Sequence, residues 1–299
     1  MPSFSRRQLV VLVLLTLVWG FNWPVMKVGV EHFPPLSFRM LSLWTGLPIL
    51  GLVMLRQRLS FRIERAYWGR LALLAVTNMV LWHALMILAI PLLSSGRAAI
   101  LGYTMPIFSA IIGALFFGDR LAGRAWAGVG AALLGVLLLL WHEIGALGSR
   151  PVGVTLMLVS AASWALGTQL LRRRPIPVPL FTLSFWMVAI TCAALTVLAA
   201  LFERERWQLP DEQALAAIVY NGVLVLGFAQ TAWFFLVRTL PPVASTLSVM
   251  MIPVLGVFSG TLWLGEPLRW QDWTAVGLMV LAIASVLWPA RAGRDQAIK

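Results

Sequence analysis

Charge is scarce in this chain. Asp, Glu, Lys and Arg together make up 11% of its 299 residues, against roughly 25% in a soluble domain. A water-soluble enzyme or binding module of this length is thereby excluded. Cysteine occurs once, at Cys192, so there is no disulfide framework and no thiolate cage for a metal. The three histidines, His32, His83 and His142, are too far apart in sequence to form a recognisable metal site. No metal or cofactor is expected. The signatures H-E-x-x-H, G-x-x-x-x-G-K and G-x-S-x-G are all missing, so no hydrolase, metalloprotease or nucleotide-binding chemistry is expected. Acidic residues are missing from the middle of every apolar stretch, which leaves no carboxylate relay for protons.

Apolar residues account for 60% of the chain. They fall into stretches of about 20, the length that crosses a hydrocarbon layer of roughly 30 Å. Ten such stretches stand at 8–30, 36–55, 66–90, 94–117, 122–141, 151–171, 180–202, 213–237, 242–264 and 271–289. The expected fold is all-α, a polytopic membrane protein with ten transmembrane helices. Arg6 and Arg7 followed by an apolar run resemble the start of a signal peptide. The run continues past Trp19 to Val30 with no A-x-A cleavage site, so it is read as a retained first span.

The net charge of +12 does not point to nucleic acid, because the basic residues sit in short loops between spans. Counted over alternate loops, sixteen Lys and Arg fall on the side that holds both termini, among them Arg56, Arg58, Arg62, Arg65 and Arg172 to Arg174. Seven fall on the other: Lys27, Arg39, Arg97, Arg150, Arg204, Arg206 and Arg269. The positive-inside rule places the first side, with both termini, in the cytoplasm.

The chain also repeats itself. Pro106 to Trp141 returns as Pro253 to Trp288 at an offset of 147, with eleven of 36 positions identical. The informative matches are Pro106/Pro253, Gly113/Gly260, Gly118/Gly265, Trp126/Trp273, Gly130/Gly277 and Trp141/Trp288, with Asp119 and Glu266 in register after the paired Gly. Residues 1–145 and 146–299 thus read as two five-helix copies within one membrane domain. An odd number of spans per copy makes the copies enter the membrane from opposite sides. Inverted repeats of this kind expose one midplane site to each side in turn.

With its five-plus-five repeat, Trp19-Gly20-Phe21-Asn22 in span 1, the paired Pro106 and Pro253, and the turns Gly118-Asp119 and Gly265-Glu266-Pro267, the chain resembles the drug/metabolite transporter superfamily. Within that superfamily it is similar to the ten-span EamA-type exporters. The resemblance covers nearly the whole chain and implies export of small metabolites, the amino-acid exporters, including those for aromatic amino acids, being the nearest subgroup. In the second copy Trp164-Ala165-Leu166-Gly167 stands where Trp-Gly-x-Asn would, so the two halves need not contribute equally to a site.

Candidate binding residues are the polar and aromatic groups at depth. Trp19 and Asn22 share span 1, Asn78, Trp82 and His83 lie in span 3, and Tyr103 in span 4. Trp164 and Thr168 share a face of span 6; Gln230 and Trp233 are three apart in span 8. Interhelical hydrogen bonding is the plain reading of the polar members. Together with the deep Trp residues they would also line a mostly apolar cavity with a few polar groups, the usual form of a small-molecule site. Lys27, Arg39 and Arg97 are expected to snorkel from span ends to the headgroups, or, for Lys27 and Arg97, to attract a carboxylate at the outer mouth. His83 is read as a neutral, hydrogen-bonded group rather than a proton carrier, which favours a facilitator over a proton antiporter. Pro106 and Pro253 are candidate hinges, since each removes a backbone donor inside a span. The expected partners are the lipid bilayer and a small-molecule substrate, an amino acid or related metabolite, with no nucleic acid. The expected location is the inner membrane. The rival readings are an exporter of other amphiphilic metabolites or drugs, and a membrane receptor or scaffold that does not transport.

Overall fold

The computed structural model describes residues 5–119, 121, 123–145, 151–239 and 242–287. The join at 146–150, Trp288 and the basic residues after it lie outside the described residues, as do the side chains of Trp141 and His142. Among the described residues there is no strand, and the chain forms ten helical rods. Spans 1 to 4 are Arg6–His32, Pro35–Arg56, Arg65–Leu92 and Ser95–Phe117. Span 5 is Gly123–Gly145. Spans 6 to 8 are Val152–Arg173, Leu180–Phe202 and Glu212–Leu236. Span 9 is Pro242–Leu264 and span 10 is Trp270–Leu287. Seven of these are by themselves long and apolar enough to cross a membrane; Gly123–Leu139 and Met251–Leu264 are shorter apolar segments within spans 5 and 9.

Local chemistry sets several ends. Span 1 opens with a capping box: Gln8 N–H donates to Ser5 Oγ at 3.2 Å, and Ser5 N–H donates to Gln8 Oε1 at 2.9 Å. Span 4 begins behind Ser94, whose Oγ accepts from Arg97 N–H at 3.3 Å.

Loop contacts sort into two faces. On one, the Arg7 guanidinium lies over the Phe235 ring, Thr182 and Trp186 donate to the Ser60 and Phe61 carbonyls, and Arg173 pairs with Asp119 at 2.6 Å. On the other, His32 meets Asp211 at 2.7 Å, Glu203 accepts from Leu36 and Ser37, and Glu266 accepts from Ser95. The Gly118–Asp119 turn therefore lies on the opposite face from its copy, Gly265–Glu266, as an inverted repeat requires.

The repeat's matched residues explain these turns. Gly118 and Gly265 have φ of 71° and 65°, the left-handed region that ends a helix at no steric cost only for glycine. The next N–H, of Asp119 or Glu266, returns to the carbonyl of Gly113 or Gly260 at 3.0 and 3.4 Å. A Cβ on Gly113 would stand 2.5 Å from Asp119 Oδ2, and one on Gly260 2.5 Å from Glu266 Oε2. The small residue is the notch into which the acidic side chain folds. Trp126 and Trp273 are both exposed on the surface of the bundle, and no neighbour within 4 Å explains Gly130 or Gly277.

The halves interlock crosswise. Span 1 packs on spans 8 and 9 of the other half, while span 6 packs on spans 3 and 4. Spans 5 and 10 pack on each other. The core joins residues from both halves, including Met26, Phe38, Trp82, Ile100, Met157 and Leu226. Leu115, Phe116, Leu201 and Leu262 face outward.

Irregular backbone falls at matching places. Span 3 turns π-helical over Val76–Val80, and span 8 does so over Tyr220–Ala229. Such segments put one extra residue into a turn and occur often at functional sites. The two prolines differ in setting. Span 4 breaks at Tyr103 and Thr104, and Pro106 opens the helix Met105–Phe117 at a position that needs no N–H. Pro253 stands inside the unbroken helix Pro242–Leu264.

Candidate functional site

Arg39 does not snorkel. It begins only four residues into span 2, on the stripe of Leu36, Leu43, Leu47 and Leu50 that faces the bundle, and it is 3% exposed. Its guanidinium reaches three other spans. Nε and Nη2 lie 3.1 and 2.8 Å from His83 Nδ1, Nη1 donates to Asn221 Oδ1 at 2.8 Å, and the same Nη1 points at Met26 Sδ at 3.9 Å. A guanidinium only donates, so His83 Nδ1 accepts and the imidazole is neutral with its proton on Nε2. Asn221 is held in turn by donating to the Ala217 carbonyl at 3.1 Å. No carboxylate partners Arg39 among the described residues.

Lys27 and Arg97 are also tied down. Lys27 Nζ donates to the carbonyls of Ile90, Pro91 and Leu93, at 3.3, 3.2 and 3.0 Å, where span 3 ends. Arg97 Nε pairs with the buried Asp272 at 3.0 Å. Both cations are thus held by protein groups, a carbonyl cluster for Lys27 and a carboxylate for Arg97.

The other predicted residues are distributed along the bundle. Asn22 is 8% exposed; its Nδ2 donates to Met26 Sδ at 3.5 Å, and its Oδ1 is buried with no hydrogen-bond partner. Asn78, on the π-helical turn of span 3, donates to the Trp164 carbonyl at 3.0 Å and to Thr168 Oγ1 at 3.2 Å. Gly167 in span 6 permits that approach: a Cβ there would stand 2.5 Å from Asn78 Cβ. Gln230 is half-buried in span 8.

The deep aromatics pair between halves. Trp82 meets Trp164 with ring centroids 5.5 Å apart, and Trp19 meets Trp233 at 5.7 Å. Trp19 and Trp164 lie in spans 1 and 6, and Trp82 and Trp233 in spans 3 and 8, so each pair joins one half of the chain to the other. Tyr103 packs on Trp23 at 6.4 Å, and Gly102 lets the Trp23 and Trp82 rings approach the backbone of span 4.

A cavity of about 440 Å³ opens on the face that carries the N-terminus, lined by Arg7, Gln57, Phe181, Phe228, Thr231 and Phe235 among others. The opposite face is fastened by Glu203, whose Oε2 accepts from Ser37 N–H and Oγ, both at 2.8 Å. Glu266 fastens it too, accepting Ser95 N–H at 2.7 Å and Ser95 Oγ at 2.8 Å.

Sequence reasoning missed Arg39, Met26, Asn221 and Trp23. The signal for Arg39 was available, since its place in the 3.6-residue stripe of span 2 puts it on the buried side. Nothing local marks Met26 or Asn221, whose roles come from a guanidinium on another span.

Ten crossing helices whose halves meet along paired aromatics and a buried polar network are an architecture found among membrane transporters. The EamA-like transporter family matches the chain twice, over residues 7–141 and 151–288, and the chain belongs to that family. It is 29% identical to the uncharacterized inner membrane transporter YedA of Escherichia coli, over 94% of this chain and 92% of that one. It is 25% identical to the uncharacterized transporter YoaV of Bacillus subtilis, over 85% and 88%. A probable amino-acid metabolite efflux pump of Escherichia coli is 24% identical over 88% and 89%. A solved crystal structure shares the fold with a TM-score of 0.68 at 20% identity, covering 96% of this chain and 100% of that one. The protein is a multi-pass membrane transporter that handles a small-molecule substrate.

Proposed function

We propose that this transporter exports amino acids with apolar or aromatic side chains across the inner membrane by alternating access, as a facilitator without obligate proton coupling. The observation that carries the reading is the pair of cross-half aromatic contacts, Trp82 with Trp164 and Trp19 with Trp233. Aromatic surface at the contact between the halves, with few polar groups near it, suits an apolar or aromatic side chain better than a sugar, a phosphate or an inorganic ion. The relative named as a probable amino-acid metabolite efflux pump agrees with this class. The excess of basic residues on the face with the N-terminus puts that face, and its cavity, in the cytoplasm. The fastened opposite face then corresponds to a state closed to the outside. Pro106 and Pro253 serve as the bending points when the halves exchange roles. The neutral His83, held by Arg39, has no acidic partner among the described residues with which to relay protons.

Counterflow in proteoliposomes tests the reading. Labelled apolar and aromatic amino acids should exchange with no imposed pH gradient, faster than Ser or Asp. Equal rates for Ser or Asp would remove the aromatic-site argument, and flux only under a gradient would replace the facilitator with a coupled carrier. Binding without exchange would make the protein a receptor.

A further inference from the structure

We infer that Arg39 and Asn22 form a clamp for the two charged groups of the substrate, with Arg39 taking a carboxylate and Asn22 Oδ1 taking an ammonium. The inference rests on the amino-acid reading above and adds which residues read the zwitterion.

A cation in the membrane interior is costly unless something answers its charge, and such groups mark substrate or ion paths. Arg39 begins ~6 Å along span 2, counting four residues of helical rise, and is 3% exposed. Its partners are all neutral: an imidazole nitrogen, an amide oxygen and a thioether. They orient the guanidinium without cancelling its charge. The planar fork offers five N–H groups. Nε and one Nη2 donor face His83, and Nη1 serves Asn221 and the sulfur. One Nη2 hydrogen is left without a partner among the described residues, and one of the two on Nη1 has only a thioether, so two donors are available to a carboxylate.

The second observation is independent. Asn22 Oδ1 is buried and has no donor, although a buried acceptor is ordinarily satisfied. Asn22 and Arg39 are linked through a single atom: Asn22 Nδ2 and Arg39 Nη1 both point at Met26 Sδ, at 3.5 and 3.9 Å. Thioether sulfur is a weak acceptor on a flexible, unbranched side chain. Met26 is thus a movable plug between a cation with no anion and an acceptor with no donor. An α-amino acid carries an anion and a donor cation on one carbon, and it satisfies both groups by displacing one side chain. At the repeat's offset of 147, Asn22 falls on Gln169 and Arg39 on Trp186, so no cation stands at the matching place in the other half. The clamp is therefore single, on one side of an otherwise symmetric bundle.

The test is counterflow of labelled L-phenylalanine by the full-length protein in proteoliposomes, with three unlabelled competitors. These are L-phenylalanine itself, L-phenylalaninamide, which lacks the carboxylate, and 3-phenylpropanoate, which lacks the ammonium. Each analogue should compete roughly tenfold or more weakly than phenylalanine, as expected when one charge-assisted bond is lost. In Arg39→Gln the gap between phenylalanine and its amide should collapse. In Asn22→Leu the gap between phenylalanine and 3-phenylpropanoate should collapse. A tether that only holds the spans together would lower yield or melting temperature and leave both ratios as they are, which overturns the clamp. Competition by the amide or by 3-phenylpropanoate equal to that of phenylalanine in the unmodified protein overturns it with no variant needed. If the unmodified protein exchanges no apolar or aromatic amino acid, the amino-acid reading falls and takes the clamp with it.

Discussion

Trp82 and Trp164 come from different halves of the chain and meet edge to face, with ring centroids 5.5 Å apart and planes at 62°. The pair is braced from both sides: Ser160 Oγ donates to the Trp82 carbonyl at 3.1 Å, and Asn78 Nδ2 donates to that of Trp164 at 3.0 Å. Aromatic pairs of this kind contribute ~1 kcal/mol beyond the area they bury. Trp164→Ala should lower the melting temperature modestly and reduce counterflow of aromatic amino acids several-fold more than that of alanine. Trp164→Phe should restore most of both. A uniform drop across substrates would assign the pair to stability alone.

Pro106 offers a clean test of hinge motion, because the helix it opens does not need its N–H. The preceding break is already satisfied: Ile107 and Phe108 donate to the Thr104 carbonyl at 2.9 and 3.0 Å, and Thr104 Oγ1 to that of Leu101 at 2.6 Å. Alanine at 106 would supply an N–H able to close the break and stiffen span 4. Pro106→Ala should therefore insert and purify normally while its transport rate falls. Transport equal to that of the unmodified protein would count against a hinge there.

Glu266 fastens the face opposite the N-terminus by capping span 4 from the other half of the chain. Its carboxylate lies at a helix N-terminus, where negative charge is favoured, and takes two donors from Ser95. Glu266→Gln keeps the shape and loses the charge, at a cost of ~1 kcal/mol. The expected result is a lower melting temperature and faster labelling of a cysteine placed near the Ser95 end of span 4. Gly260→Ala should act more strongly, because its Cβ would collide with Ser95 Oγ and with the carboxylate. Labelling unchanged in both variants would show that this contact does not hold that face together.

Asp211, outside the membrane-spanning segments, gives a pH dependence. Its Oδ1 accepts Ala214 N–H at 2.8 Å, capping span 8, and its Oδ2 lies 2.7 Å from His32 Nδ1. The Ala214 N–H first, and the His32 contact second, hold its carboxyl below the usual range. A depressed acid stabilises the folded state above its unfolded value of about 3.9, and the contribution is lost as pH falls through the folded value. Asp211→Asn keeps a capping oxygen and removes the charge. Its melting temperature should sit slightly below that of the unmodified protein near neutral pH, and the two should converge in strong acid. A gap that persists there would mean the charge is not responsible.

Most of the architecture was legible in the residues. The apolar stretches marked ten rods because crossing length is a local property, and the Gly118 and Gly265 turns were visible because a left-handed helix end selects glycine. The π-helical turns of spans 3 and 8 were not legible, since Val76–Val80 and Tyr220–Ala229 carry no residue that breaks a helix. Asn22 and Gly167 stood out as an asymmetric pair, but only packing shows that Gly167 makes room for Asn78 while Asn22 is left with a free oxygen. Arg39 was misplaced because nearness to a span end says nothing about which way a long side chain turns.

The sequence by itself determined that this is a ten-helix membrane protein, doubled and inverted, with its basic loops on one side. Those properties follow from segment length, span parity and charge count, and each is read along a single strand of chain. Only the tertiary structure decided which helix faces meet: Trp82 with Trp164, Glu266 with Ser95, and Arg39 with His83, Asn221 and Met26. Such pairings depend on the relative rotation and depth of helices far apart in the chain. Burial then decides the chemistry, because a guanidinium close enough to headgroups to snorkel is an anchor, and the same group enclosed among neutral partners is a site awaiting an anion.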